Sequence, residues 1–187
     1  MKFVRVSNVL IGCLFVMACQ SARPATERGL PQSVVRAAPV RPAINPTALQ
    51  RDVLALLNQA RSRSCRCGST TYPAAPPLSL SDELNVASQR YADDMARTGV
   101  FSHTGRDRSR PQDRVTRAGY VWQAVGENIA AGTATARSTV DGWLNSPGHC
   151  ANIMNPMFRE VGVGYSRATG GRYHHYWVTD FGTRRSL

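Results

Sequence analysis

Apolar spacing in the first part of the folded region predicts two amphipathic helices. After Asn45-Pro46, where proline suits the first turn of a helix, the apolar residues recur at helical spacing: Leu49, Val53, Leu56, Leu57 and Ala60. Ser81 is a typical N-cap for a second helix, whose apolar face ends before Gly99. From Arg63 to Pro77 the chain is rich in cysteine, glycine and proline, which indicates an irregular connection.

The later part of the chain changes from helical to strand periodicity. Short helices are predicted over 111–118 and 134–145. Residues 159–166 alternate between apolar and polar side chains, a Thr-Gly-Gly turn follows, and 172–182 give the returning strand of a hairpin. Residues 120–125 are a candidate for a further strand. Helices followed by a hairpin predict an α+β fold, in which helices cover an antiparallel sheet.

The N-terminus predicts export from the cytoplasm. Lys2 and Arg5 precede an apolar run at 9–18, which is too short to span a bilayer but suits a secretory signal. The run ends in the sequence VMAC, which resembles a bacterial lipobox, so Cys19 is predicted to be acylated and to become the mature N-terminus. The alternative is an ordinary signal peptide cut slightly later, with Cys19 incidental.

Composition divides the chain into a signal peptide at 1–18, a tether at 19–46 and one folded domain at 47–187. The tether is rich in proline and has little apolar periodicity, which is typical of an extended, solvated segment. With an acylated cysteine, the protein is expected to be a membrane-anchored lipoprotein, in the outer membrane or periplasm if the cell is Gram-negative. With an ordinary signal it is expected to be secreted.

The net charge of +11 at pH 7 does not by itself indicate a nucleic-acid-binding protein. The arginines are scattered apart from one dense group, and no nucleic-acid-binding motif accompanies them, so no nucleic-acid partner is expected. The dense group consists of Arg106, Arg108, Arg110, Arg114 and Arg117. It is either a contact for an anionic lipid or polymer, or simply a solvated loop.

Four polar residues lie where the periodicity does not require them: His103, Glu127, His149 and Glu160. Each has an ordinary interpretation when taken alone. A histidine in a loop faces solvent, a glutamate beside a turn caps it, and a glutamate at the start of a strand pairs with an arginine. Brought together in one hollow, they would instead form a binding or metal site. Composition does not decide between these interpretations.

Short motifs around these residues follow one another in a fixed order. They are FSHTG at 101–105, GENIA at 126–130, SPGHCANIM at 146–154 and FREVGVG at 158–164, closed by YWV at 176–178. Each motif is weak alone, but the ordered set resembles the bacterial branch of the CAP superfamily. This is the SCP-domain family, which includes cysteine-rich secretory proteins, venom allergens and plant pathogenesis-related proteins. The resemblance covers about residues 47–184.

The resemblance implies a three-layer α-β-α sandwich with a central, mostly antiparallel sheet. It also implies a large cleft lined by His103, Glu127, His149 and Glu160. In the family these positions can bind a divalent cation, often zinc, although many members lack one. The chain departs from its relatives at Asp107-Arg108, where bacterial members often have Asp-Gly, so the loop after His103 is expected to differ in shape.

The cysteines of the folded part are interpreted through the same resemblance. Cys150 stands where many relatives have arginine, directly after His149. A related bacterial group has Cys-Gly shortly before a Pro-Pro-Leu segment, and Cys67-Gly68 matches this better than Cys65 does. The resemblance therefore implies a Cys67–Cys150 disulfide, which an exported compartment permits. Cys65 would remain free or available for exchange.

These expectations favour a tethered binding or interaction module whose cleft engages a lipid or envelope ligand. The alternative is a zinc-dependent hydrolase that acts on peptide or envelope material through a zinc-bound water. A purely structural envelope protein is a third interpretation. No catalytic residue is assigned, because the sequence shows neither a nucleophile nor a placed base. Ser102 is next to His103 in the chain, which does not place its hydroxyl on the imidazole.

Overall fold

The computed structural model describes residues 47–186. The predicted signal peptide, the acylation site at Cys19 and the tether lie outside the described residues, as does Asn45-Pro46 at the predicted helix start. Across 47–186, no helix combines the length and the apolar character that crossing a bilayer requires.

Helices form where the sequence supplies both caps and an apolar face. They are α1 (Ala48–Arg61), α2 (Asp82–Thr98), α3 (Pro111–Arg117), α4 (Ala136–Leu144) and α5 (Pro147–Met154). Thr47 and Gln50 form a capping box at the start of α1, in which each side chain accepts a hydrogen bond from the other residue's backbone N–H. The prediction for α2 is confirmed at both ends: Ser81 is its N-cap, and Gly99 ends it with a left-handed φ of 70°.

A four-stranded mixed sheet forms the centre of the described domain. The strands are β1 (Cys65–Cys67), β2 (Thr70–Tyr72), β3 (Ser79–Leu80), β4 (Trp122–Ala131), β5 (Glu160–Arg167) and β6 (His175–Arg184). β1 and β2 form a small hairpin of their own, and the other strands lie in the order β3-β5-β6-β4. β5 and β6 are the predicted hairpin. The β4–β6 and β5–β6 pairs are antiparallel, and β3 runs parallel to β5.

Helices cover both faces of this sheet. Along β5, Val161 and Val163 pack in a core with residues of α1, α4 and α5, whereas Gly162 and Gly164 face α2. The lack of a side chain is required there, because a Cβ atom on Gly162 would lie 2.0 Å from the carbonyl carbon of Leu84. Helices thus lie directly against each face, which confirms the predicted α+β, three-layer α-β-α sandwich.

Three elements differ from the sequence prediction. α5 was not predicted, because proline and glycine at its first two positions resemble a turn, although proline is accepted in a first helical turn. β4 covers 122–131 instead of 120–125, so Glu127 lies within a strand. The expected irregular connection at 63–77 contains β1 and β2, and β3 follows it. These strands have two or three residues each and are too short to show a periodic pattern.

Candidate functional site

Glu127 and His103 form the centre of the candidate site. Glu127 points from β4 toward the layer of α2 and α3, and only 1% of its side chain is exposed. Its Oε1 lies 2.7 Å from Nδ1 of His103, which projects from the loop between α2 and α3 with 52% of its side chain exposed. A carboxylate bonded to Nδ1 fixes the ring, and it leaves Nε2 available for a ligand.

Arg114 belongs to the site, although the sequence placed it only in the arginine group. Its Nη2 donates to Glu127 Oε2 at 2.6 Å, so both carboxylate oxygens are bonded. Its guanidinium carbon lies 3.5 Å from the centre of the Tyr91 ring, a cation–π contact. It also donates to the backbone carbonyls of His103 and Ser109. Arg114 therefore joins α3, β4 and the loop that supplies His103. The only sign of this role in the sequence is that an arginine stands beside the apolar positions of a short helix.

His149 approaches the site from α5, in the opposite helical layer. Its ring is partly buried, and Nδ1 lies 2.9 Å from the hydroxyl oxygen of Ser146. Burial, and then the charge of the nearby His103, lower the pKa of His149, so the imidazole is neutral at neutral pH. As in His103, an internal partner occupies Nδ1 and leaves Nε2 for a ligand. The structure therefore brings His103 into contact with Glu127 and near enough to His149 to influence its charge.

Two asparagines hold α5 against β4. The fully buried Asn128 donates to the backbone carbonyl of His149 at 3.1 Å. Asn152 donates to the backbone carbonyl of Glu127 at 3.1 Å and to the side-chain oxygen of Asn128 at 2.9 Å. An amide side chain donates and accepts at once, so this pair satisfies polar groups on both elements. Both residues belong to the motifs of the sequence analysis, which assigned them no role.

Glu160 forms no hydrogen bond or ion pair with the other three predicted site residues within residues 47–186. It begins β5, whereas Glu127 is in β4, and β6 lies between the two strands. Two strand spacings and an offset of two residues separate their backbones by about 12 Å. The Glu160 carboxylate accepts a hydrogen bond from the Tyr120 hydroxyl at 2.7 Å and pairs with Arg184 at 3.1 Å. It therefore has the ordinary role of a strand glutamate paired with an arginine.

Asp180 is a second buried carboxyl group, and the sequence analysis did not single it out. It lies directly opposite Glu127 in the β4–β6 pair and is fully buried. The Ser88 hydroxyl donates to Oδ2 at 2.8 Å, while Oδ1 has no hydrogen-bond partner among residues 47–186. Burial, and then the negative charge of Glu127, raise the pKa of Asp180 well above its ordinary value. The neutral acid is therefore favoured over a wider pH range than in an exposed aspartate.

The donor set limits how a metal ion can be held. Within the described part of the chain, no three of the predicted site residues bring ligand atoms within 4.8 Å of one another. Both oxygens of Glu127 are already bonded, to His103 and to Arg114. Of the predicted site residues, only the Nε2 atoms of His103 and His149 remain available to a cation, whose other positions would be filled by water or a ligand. They do not form a closed structural zinc site.

A disulfide between Cys67 and Cys150 joins the β1–β2 hairpin to α5, which confirms the pairing that the resemblance implied. Their Cα atoms are 5.4 Å apart. Because Cys150 directly follows His149, the bond restricts the helix that supplies this histidine. Cys65 is free and partly buried, and its Sγ lies 3.8 Å from Sγ of Cys150. All three sulfur atoms lie within 4.8 Å of one another.

Comparison with known families agrees with the fold and the motifs. Residues 54–181 match the family model described as CAP, the cysteine-rich secretory protein family. The match covers more than half of the chain and includes His103, Glu127, His149 and Glu160. The chain therefore belongs to the CAP family.

Individual relatives match part of their own length. The chain is 31% identical over 119 residues to the uncharacterized protein YkwD of Bacillus subtilis (strain 168), covering 64% of this chain and 43% of YkwD. An extracellular SCP-domain protein from Bacillus anthracis str. Ames superposes with a TM-score of 0.60 at 28% identity, covering 73% of this chain and 40% of that chain. The chain thus spans about two fifths of the length of these relatives. NaASP2, crystallised with Zn²⁺, shares the fold, with a TM-score of 0.50, 16% identity and coverage of 76% and 85%.

Proposed function

We propose that this chain is an exported, membrane-tethered CAP-domain protein that works as a ligand-binding or interaction module, with a divalent cation at His103 and His149. The observation that supports the proposal is the pair of imidazoles whose Nδ1 atoms are bonded to Glu127 and Ser146. Their Nε2 atoms have no hydrogen-bond partner in residues 47–186. Histidines oriented in this way are typical metal ligands.

Zinc is the cation that we expect first, since imidazole nitrogen suits it and the structural relative NaASP2 was crystallised with Zn²⁺. A bound cation would supply a Lewis acid next to the ligand. Glu127 would orient the His103 ring and increase the basicity of its free nitrogen, because a carboxylate on the opposite ring nitrogen raises ligand basicity. Glu160 takes no part in this proposal.

Three observations support export and tethering. The charged and apolar pattern before Cys19 has the form of a secretory signal with a lipobox. The Cys67–Cys150 disulfide suits an oxidising compartment. The relative from Bacillus anthracis is described as extracellular.

Acylation of Cys19 predicts incorporation of radiolabelled palmitate and sensitivity of processing to globomycin. A soluble wild type, indistinguishable in processing from Cys19→Ala, would leave an ordinary signal peptide as the explanation.

The surroundings of His103 favour binding over catalysis. The Ser102 hydroxyl accepts a hydrogen bond from the backbone N–H of Thr104 at 3.0 Å, which engages it in the local turn and not with the imidazole. No serine, threonine or cysteine in the described residues donates to His103. We therefore propose that a lipid or envelope ligand binds near His103 without covalent chemistry.

A hydrolase is the second candidate, and one observation supports it. His103 is half-exposed and is held by a buried carboxylate, which is the arrangement of an oriented general base. This candidate requires turnover of peptide or envelope material that chelation abolishes and zinc restores. It also requires that His103→Ala lose that turnover while it remains folded.

Zinc titration by calorimetry tests the binding proposal and the composition of the site. We expect His103→Ala and His149→Ala each to weaken zinc binding at least tenfold. His174→Ala removes an exposed histidine elsewhere and should stay within twofold of the wild type. Glu160→Gln should also stay within twofold. Equal zinc affinity in the wild type and both histidine variants would refute the proposed site. A tenfold loss of zinc affinity in Glu160→Gln would show that Glu160 belongs to the site, as the sequence analysis expected.

A further inference from the structure

A cavity of about 390 Å³ opens on the outer side of Arg114. It lies between α2, the loop at 99–110 and α3, and the arginine group of the sequence analysis contributes to its wall. The apolar part of the wall comes from Ala87 and the ring of Tyr91. Neither His103 nor His149 lines this cavity, so it is distinct from the proposed cation site.

Positive charge in this cavity exceeds negative charge. Five guanidinium groups line it, against the carboxylates of Asp94 and Asp107. Arg97 pairs with Asp94, and Arg117 pairs with Asp107 at 2.8 Å. The remaining lining arginines are Arg90, Arg106 and Arg114, and the last pairs with Glu127. Arg90 and Arg106 have no carboxylate partner among residues 47–186, so two positive charges remain uncompensated.

Arg114 provides an independent sign of a missing acceptor. Its side chain is 9% exposed, and its terminal nitrogens donate to Glu127, His103 and Ser109. Its Nε atom, however, is buried with no hydrogen-bond partner in the part of the chain that the structure describes. A buried donor without an acceptor is unfavourable, and a turn of the guanidinium toward the adjoining cavity would let an anionic oxygen supply the missing acceptor.

The shape of the cavity and its donors select the class of anion. A tetrahedral oxyanion directs its oxygens in more directions than a planar carboxylate does, so it is better suited to guanidinium groups that converge from several sides. The cavity volume is larger than a single oxyanion requires. The apolar wall of Ala87 and Tyr91 can therefore contact an organic group attached to the oxyanion. We infer that the cavity binds the phosphate group of a phosphate ester, either an anionic phospholipid head group or a soluble ester. The inference names a ligand for the proposed binding module, but it does not rest on the cation site.

Calorimetric titration of the full chain, with chelator present, tests this inference. The probes are glycerol 3-phosphate and a dihexanoyl phosphatidylglycerol below its micelle concentration, with glycerol as the uncharged control. Arg90→Gln/Arg106→Gln should weaken binding of at least one phosphate probe tenfold or more. Arg167→Gln/Arg172→Gln makes the same change in net charge at exposed positions outside the cavity, and it should change affinity less than twofold. In the wild type, the Nε–H resonance of Arg114 should move on addition of the phosphate probe.

The outcomes separate the two sources of phosphate. Binding of the lipid at least tenfold tighter than glycerol 3-phosphate assigns a phospholipid head group, and a smaller difference assigns a soluble ester. The inference is overturned if neither ester binds the wild type, or if the two double variants lose the same affinity for the phosphate probes. It is also overturned if the Nε–H resonance of Arg114 does not move. Because zinc is absent from these titrations, failure of the cation site leaves the result unaffected.

Discussion

Nδ1 of the half-exposed His103 lies 2.7 Å from Oε1 of Glu127, a carboxylate with only 1% of its side chain exposed. The other oxygen of Glu127 is bonded to the buried guanidinium of Arg114 at 2.6 Å. The two residues of the pair therefore have different energetic roles. Glu127 neutralises a buried charge, whereas His103 adds a group that water also solvates.

We expect Glu127→Gln to lower the free energy of unfolding by about 3 kcal/mol, because it leaves Arg114 buried without its carboxylate. His103→Ala should cost less than about 1 kcal/mol, since its side chain is largely in water. Urea unfolding at pH 7 measures both values. Glu160→Gln is the matched control, because its arginine partner is partly exposed and the loss should stay below about 1 kcal/mol. Equal costs for Glu127→Gln and His103→Ala would contradict this assignment.

Asp180→Asn is expected to flatten the pH dependence of stability. The native pKa of Asp180 is raised, so above about pH 4 the native state binds more protons than the unfolded chain. The free energy of unfolding of the wild type therefore falls as the pH rises toward that native pKa. The asparagine variant lacks this titration, so its stability relative to the wild type should increase from pH 4 to pH 8.

Urea unfolding at pH 4, 6 and 8 measures this difference. The groups that act on Asp180 are Glu127 from β4, Arg114 from α3 and Ser88 from α2. Asp93→Asn makes the same chemical change on the exposed side of α2, outside the buried layer, and is the control. A stability difference between Asp180→Asn and wild type that is constant or decreasing with pH would contradict a neutral carboxyl group at this position.

The helices and strands that could be predicted are those with local signals. α2 has a serine N-cap, a glycine that ends it and an apolar face between them. The β5–β6 hairpin shows alternation on both sides of a glycine turn. β3 has two residues and is defined by its pairing with β5, so no local sequence pattern predicts it. α5 is short and begins with proline and glycine, so its helical state depends on packing.

The site shows the same division between local and distant causes. His103, Glu127 and His149 could be grouped because each lies in a motif of the family resemblance. Glu160 lies in a motif as well, but the intervening strand β6 separates it from the others, a relation that no motif contains. Asp180 meets Ser88 across 92 positions of the chain, and its burial follows only from the packing of α2 on the sheet. Such residues could not be found from spacing.

The short distances between the sulfur atoms of Cys65, Cys67 and Cys150 lead us to predict disulfide exchange. In Cys67→Ser exposed to oxidised glutathione, which is reduced as it takes up the two electrons, we expect a Cys65–Cys150 disulfide to form, because the two Sγ atoms are already 3.8 Å apart. A Cys65 thiolate in the wild type would attack Cys150 Sγ, form a new S–S bond and release Cys67 as the thiolate, without net oxidation. Peptide mapping under non-reducing conditions identifies the bond. A free Cys150 in oxidised Cys67→Ser would contradict the prediction.

Two further cysteine variants serve as controls. Cys65→Ser should retain the Cys67–Cys150 bond and the stability of the wild type. Cys150→Ser removes every bridge across the sequence separation of 83 residues, and chain entropy gives a loss of about 4.5 kcal/mol for a loop of that size. The order of stability is therefore expected to be Cys65→Ser above Cys67→Ser, and Cys67→Ser above Cys150→Ser. An unchanged stability in Cys150→Ser would show that the bond does not constrain the domain.

Gly162→Ala tests the close contact between β5 and α2. The added Cβ would lie 2.0 Å from the carbonyl carbon of Leu84, so the backbone of α2 has to move away from the sheet. We expect a loss of about 3 kcal/mol or more in the free energy of unfolding, because overpacking against backbone is hard to relieve. Gly142→Ala is the matched control, since nothing lies within 4 Å of its Cβ and it is inside α4, where alanine should stabilise by up to about 1 kcal/mol. Thermal and urea unfolding of both variants measure the contrast, and an unaffected Gly162→Ala would mean that α2 does not pack directly on β5.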